Sequence, residues 1–245
     1  MSVLALFDID GTLVDTAGSG RDAIEVALVE VFGTPGPIDE LSFAGLTDPL
    51  IARTLMRHAG FADEEIDARL DALWASYTRH LVERLAERRA RARVHEGVVE
   101  LLEALAAAGV PLGLVTGNIA DGARHKLATL GIADRFAFGS YGSDAENRDR
   151  LPAIAIERAH AATGMRFDPD RTWIIGDTPR DIGCARACGI RVLAVATGSF
   201  SVDELAAAGA DHVLETLADT AVILGLLGIE SRAAPEDARF GRAVR

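Results

Sequence analysis

Apolar positions along the chain fall into two spacings. Residues 2–7 form a short apolar run that stops at Asp8, the pattern of a buried strand. Ile24, Ala27, Leu28 and Val31 then recur at helical spacing, and the segment GTPGP (33–37) breaks that helix. Asp48 and Pro49 read as an N-cap and first helical residue, with Gly60 as the stop. Ile66, Leu70, Leu73, Tyr77, Leu81 and Leu85 share one side of a long helical stretch that ends in the charged run ERRARAR. Residues 15–92 are therefore expected to be helical, with no strand.

Beyond His95 the rhythm changes. Helices are expected at 97–108, 121–130, 152–163 and 182–188, three of them closed by Gly109, Gly131 and Gly189. Strands are expected at 111–115, 136–138, 173–177, 190–196 and 211–214. Strand–helix alternation of this kind implies an α/β fold: a Rossmann-like parallel sheet covered by helices on both faces, here with an all-helical insert after the first strand. The core is expected at 1–14 and 93–228, the insert at 15–92, and a frayed, Arg/Ala-rich tail at 229–245.

Composition narrows the partners. With 49% hydrophobic and 25% charged residues the chain is an ordinary globular one. A formal net charge of −12 argues against nucleic acid or an anionic membrane. The first residues carry no basic cluster, so a signal peptide is not expected, and no apolar stretch approaches the ~18 residues of a membrane span. The two cysteines, Cys184 and Cys188, lie four apart and make no disulfide scaffold, which points to the cytoplasm. Among 25 basic residues there is one lysine, Lys126, so lysine chemistry has a single candidate.

The strand ends carry the chemistry. Ligands of parallel α/β sheets bind beyond the carboxyl ends of the strands. The first strand ends in Asp8-Ile9-Asp10-Gly11-Thr12, the second in Thr116-Gly117-Asn118, and the WIIG strand in Asp177, with Asp181 four residues on. Two close carboxylates repel, and a cation or a proton must relieve them. Oxygen ligands of this type suit Mg²⁺, while hydroxyl and backbone N–H groups suit a phosphoryl group.

FDIDGTL, VTGN and IIGDTPRD, in this order and spacing, resemble the haloacid dehalogenase superfamily, and the helical insert resembles its helical-cap subclass, which includes phosphoglycolate-phosphatase-like and β-phosphoglucomutase-like enzymes. The resemblance implies that Asp8 is a nucleophile forming an aspartyl-phosphate, and that Asp10 is the general acid and then the general base. It implies that Mg²⁺ is held by Asp8, the Asp10 backbone carbonyl and Asp177, with Asp181 supporting. Thr116, Gly117 and Asn118 would cradle phosphoryl oxygens. The family usually places a lysine between the second and last motifs. Lys126 falls too early for that place, so Arg148 is expected to supply the charge, with Arg150 as its rival.

Other readings remain open at this stage. Asp181 could equally cap the helix that follows it, and Thr116 could be a helix N-cap. A true dehalogenase typically has tyrosine where this chain has Asp10, and the insert has no lysine for Schiff-base chemistry. A phosphomutase or a non-enzymatic member of the fold stays possible. The expected activity is a Mg²⁺-dependent phosphatase on a small phosphorylated metabolite, phosphoglycolate or a sugar phosphate, in a monomer or homodimer. Substrate choice is expected to lie in the loop FAGLTDP, through Gly45, Thr47 and Asp48. A hydroxyl and a carboxylate there would favour a sugar phosphate.

Overall fold

The computed structural model describes residues 2–229, so the expected tail lies almost wholly outside the described residues. Six parallel strands make one sheet: β1 (Leu4–Phe7), β4 (Leu112–Val115), β5 (Phe138–Ser140), β6 (Thr172–Gly176), β7 (Arg191–Val195) and β8 (His212–Leu214). Their order is β5-β4-β1-β6-β7-β8. The chain leaves β1 for one edge and later returns to the other, so β1 is the switch point where ligand crevices open. The register sets Phe7 beside both Leu114 and Ile175. The first residues past β1, β4 and β6 therefore meet at one edge.

These strands are continuous apolar runs because both faces of the sheet are covered. Ala5 and Phe7 point into one buried cluster with Leu102, Leu114 and Trp173. Leu4 and Leu6 point into another with Val115, Ile174 and Ile182. The alternation is the period of two that a strand imposes. The covering helices are α5 (Val98–Ala107), α6 (Ala120–Thr129), α7 (Leu151–Thr163), α8 (Pro179–Cys188), α9 (Val202–Ala207) and α10 (Thr220–Leu226). The last two are short and carry too few turns to show periodicity in sequence.

Between β1 and α5 stand α1 (Ser19–Phe32), α2 (Asp48–His58), α3 (Asp63–Asp67) and α4 (Leu70–Glu87). They enclose a third apolar cluster, with Leu28, Leu55, Leu73 and Leu81 fully buried. A short ribbon borders the insert: β2 (Val14–Asp15) and β3 (Arg93–Val94), paired antiparallel as Val14↔Val94 and Asp15↔Arg93. An ion pair of 2.8 Å between Arg93 and Asp15 joins them. Of the ribbon only Asp15 falls within 15–92, so the expectation of no strand holds for 16–92, and two-residue strands leave no alternation to read in sequence.

Two boundaries also move. β5 begins at Phe138 rather than residue 136, because Phe136 packs edge-on against Phe7 at 6.0 Å. α8 begins at Pro179 rather than residue 182, because the Thr178 hydroxyl caps it by accepting from Asp181 N–H. Among the described residues no helix is long and apolar enough to cross a membrane.

Because the insert has its own apolar cluster, its packing can be tested by itself. Leu81→Ala is expected to cost about 2–5 kcal/mol, read as a lower urea midpoint. A loss below about 1 kcal/mol would mean that the insert is loosely packed.

Candidate active site

Three carboxylates meet at the carboxyl edge of the sheet. Asp8 follows β1, Asp177 follows β6, and Asp181 lies in the first turn of α8. All three are buried, and one oxygen from each lies within 4.8 Å of the others. Burial raises Asp8 from 3.8 to about 6, with the Arg148 charge offsetting part of the rise. Burial, then the charges of Asp181 and Asp8, raise Asp177 to about 8, against a hydrogen bond from the Thr12 hydroxyl at 2.8 Å. Thr12 was not singled out in sequence, although it closes the first motif.

Asp181 is the helix cap that one of its two readings expected. Its Oδ2 accepts from the Thr178 N–H at 3.0 Å and the Thr178 hydroxyl at 2.7 Å, which is a capping box. Its Oδ1 pairs with Arg148.

Arg148, 7% exposed, is the cation among the three. Its Nη2 also lies 3.1 Å from Asp8 Oδ2, and its Nη1 donates to the Gly45 carbonyl at 3.2 Å. Its Nε is buried without a hydrogen-bond partner among the described residues. Arg150, in contrast, is exposed.

Asp10 stands apart from this trio. Both of its carboxylate oxygens accept from Lys126 Nζ, at 2.8 and 2.7 Å. Asn118 Nδ2 also donates to Asp10 Oδ2, at 2.8 Å. Thr116 is fully buried, and its hydroxyl oxygen accepts from Asn118 Nδ2 at 2.8 Å. Among the described contacts that hydroxyl donates to no one, so its proton is free for a ligand oxygen. The sequence reading placed Lys126 too early for the family's lysine. It does sit away from Asp8, yet it belongs to the site through Asp10.

The loop before α2 lies over these groups. Gly117 has no side chain because a Cβ would come 2.1 Å from the Leu46 carbonyl oxygen. Asp48 N–H donates to the Gly117 carbonyl at 2.8 Å. Gly45 has φ +68°, and a Cβ there would lie 2.6 Å from Thr178 Oγ1, so the loop packs closely against the core at this point. Two expectations need correction. Thr47, not Asp48, is the N-cap of α2, and its fully buried hydroxyl is bound to the Glu146 carbonyl at 2.7 Å. That hydroxyl is therefore closed to substrate. Asp48 instead accepts from the Ile119 N–H at 2.8 Å, and burial lifts it to about 6 despite the Lys126 charge.

A cavity of about 530 Å³ opens between insert and sheet edge, with Asp8, Asp10, Thr116, Arg148 and Asp177 on one wall and Phe43 and Asp48 on the other. The arrangement can hold an oxyanion at Asp8 and a divalent cation among the carboxylates. It also leaves room for a small organic group under the insert.

The sequence model of the family described as haloacid dehalogenase-like hydrolase matches residues 5–195. The phosphoglycolate phosphatase of Rhodospirillum rubrum is 31% identical over 235 residues, 92% of each chain. That of Synechococcus elongatus is 29% identical, over 87% of this chain and 93% of its own. In fold, a hydrolase from Pseudomonas syringae superposes with a TM-score of 0.69 at 23% identity, covering 92% of this chain and 99% of that one.

The raised carboxylates make stability depend on pH. Asp8, Asp48 and Asp177 all have folded-state values above 3.8, so their protons favour folding. That contribution is complete below about pH 4 and is lost as pH rises through about 6 and about 8. In EDTA the melting temperature is expected to fall between pH 5.5 and 8.5, and Mg²⁺ should raise it more at the higher pH. A metal-free melting temperature that climbs over this range would contradict the site electrostatics.

Proposed function

The chain belongs to the haloacid dehalogenase-like hydrolases, and from that membership we propose that it is a Mg²⁺-dependent phosphatase of small phosphomonoesters, with phosphoglycolate as its substrate. The observation that carries this reading is the buried trio Asp8, Asp177 and Asp181 around a single guanidinium. Carboxylates left ionised so close together need a hard cation, and their raised pKa values express that need. Asp8, Asp177 and the Asp10 backbone carbonyl would hold Mg²⁺, with Asp181 behind them. When bound, the ion supplies positive charge to the phosphoryl oxygens.

Asp8 attacks phosphorus, and the bond to the substrate oxygen breaks as Asp10 gives that oxygen a proton. Asp10 then takes a proton from water, whose oxygen attacks the aspartyl-phosphate and releases phosphate and Asp8. Arg148 offers its guanidinium and the Thr116 hydroxyl its free proton to the oxygens that carry the developing charge. The insert, joined through the β2–β3 ribbon, covers the cavity and keeps bulk water from the phosphoryl group.

Two considerations favour phosphoglycolate over a sugar phosphate. Curated relatives across most of the chain's length carry that name. The case for a sugar rested on a hydroxyl at Thr47 and a carboxylate at Asp48; the hydroxyl is buried against the Glu146 carbonyl, and one Asp48 oxygen accepts from the Ile119 N–H while the residue still lines the cavity.

Purified protein with Mg²⁺ is expected to release inorganic phosphate from phosphoglycolate with a higher kcat/KM than from any sugar phosphate in a panel. Preference for a sugar phosphate would replace the substrate assignment. EDTA should abolish turnover, and Asp8→Asn should lower it by on the order of 10⁴. A tenth of wild-type activity in that variant would sink the covalent route. Arg148→Ala should lose roughly 10²-fold or more, and Arg150→Ala far less, because only Arg148 borders Asp8.

A further inference from the structure

The one lysine of the chain is buried at the site and touches none of the three clustered carboxylates. Lys126 lies two turns along α6, with 5% of its side chain exposed. Its ammonium has three donors, and three acceptors surround it: both oxygens of Asp10 and, at 2.6 Å, Oδ1 of Asn118. Asn118 turns its amide nitrogen back to Asp10 Oδ2 and to Thr116 Oγ1, both at 2.8 Å. The result is a closed ring of Asp10, Lys126 and Asn118, anchored on Thr116. Asp10 is 45% exposed on its free side, so without the ring its short side chain would turn freely among rotamers.

The insert roofs this ring. A Cβ on Gly20 of α1 would come 3.1 Å from Lys126 Nζ and 3.7 Å from the Tyr77 hydroxyl of α4. Lys126 therefore keeps its burial only while the insert is seated, and Gly20 is the gap into which the ammonium fits.

We propose that Lys126 is the positioning residue for Asp10: with Asn118 it fixes the carboxylate in the one orientation from which it passes a proton to the leaving oxygen. The inference rests on the assignment of Asp10 as proton donor. It also separates the two cations of the site by task. Arg148 serves the nucleophile and the phosphoryl group, while Lys126 serves the proton carrier.

A merely structural lysine and a positioning one differ in leaving-group dependence. Phosphoglycolate releases an alkoxide, which needs a proton; 2,4-dinitrophenyl phosphate releases a stable phenolate, which does not. Lys126→Met is expected to lower kcat/KM for phosphoglycolate roughly 10²-fold or more, and for the dinitrophenyl ester less than about tenfold. Asp10→Asn should show the same selectivity, and the double variant should add little. Equal losses on both esters in Lys126→Met, beside a selective Asp10→Asn, would overturn the inference alone. Equal losses in Asp10→Asn would overturn the Asp10 assignment and the inference with it.

A second measurement needs no active variant. Lysine-selective ¹⁵N labelling gives this chain a single side-chain ammonium resonance. It should be protected from exchange in the wild type and should move or vanish in Asp10→Asn. A rapidly exchanging signal that ignores Asp10→Asn would overturn the inference, even if Lys126→Met failed to fold.

Discussion

Repulsion among Asp8, Asp177 and Asp181 is the constraint around which the site is arranged. Parallel strands bring their carboxyl ends together whether or not the side chains there tolerate one another, and Phe7 is in register with Ile175 and Leu114. The trio is buried because the sheet faces and the insert close over it. Water cannot screen the charges, so the protein must supply counter-charge itself. It does so with one guanidinium, and the imbalance makes the place suited to a divalent cation and an oxyanion together. Neighbouring features serve that arrangement. Thr12 and Thr178 give hydroxyl protons to Asp177 and Asp181, and α8 begins where Asp181 can both cap a helix and face Arg148.

Arginine at position 148 has a consequence that a lysine would not. A guanidinium is a planar fork with several donors in fixed directions. Here one nitrogen faces Asp8 and Asp181, a second reaches the Gly45 carbonyl of the insert, and the third, Nε, is buried without a partner among the described residues. An ammonium could not span those three directions from one atom. The same residue that borders the nucleophile thus also touches the loop that roofs the cavity. Lys126, by contrast, is a compact point charge, and the three acceptors around it match its three donors.

The sheet, its helices and the meeting of three motifs were legible in sequence because continuous apolar runs and glycine stops are local signals. Asp8 and Asp177 follow from the order of strand ends, whereas Arg148 comes from the family resemblance, as the stand-in for its lysine with Arg150 as rival. The β2–β3 ribbon was not legible, since its pairing joins residues nearly eighty apart through two residues on each side. Lys126 was missed for a related reason. Its distance along the chain from the third motif disqualified it, whereas its geometry depends on α6 carrying it back over Asp10. A trace was present: Ala123 and Leu127 are buried on α6, and Lys126 falls beside them on a face where an unpaired charge would be costly. Thr47 shows the converse error. A hydroxyl in a loop near the site looks available until Glu146, ninety-nine residues away, is seen to hold it.

That loop reorders the question of selectivity. Thr47 binds Glu146, one Asp48 oxygen binds Ile119, and Arg53 of α2 joins the Glu146 side chain at 2.8 Å, so these groups tie the insert to the core while Asp48 still lines the cavity. Arg21 completes the grip from behind: its Nη2 donates to the Ile38 carbonyl at 2.7 Å, and its guanidinium lies 4.7 Å over the Phe43 ring. Phe43 is thereby held as a wall and the backbone at Gly45 as an edge. Phe43 and the Gly45 backbone thus bound the cavity by packing, and the charged side chains around it include Arg21 and Asp48 of the insert as well as the groups at the sheet edge.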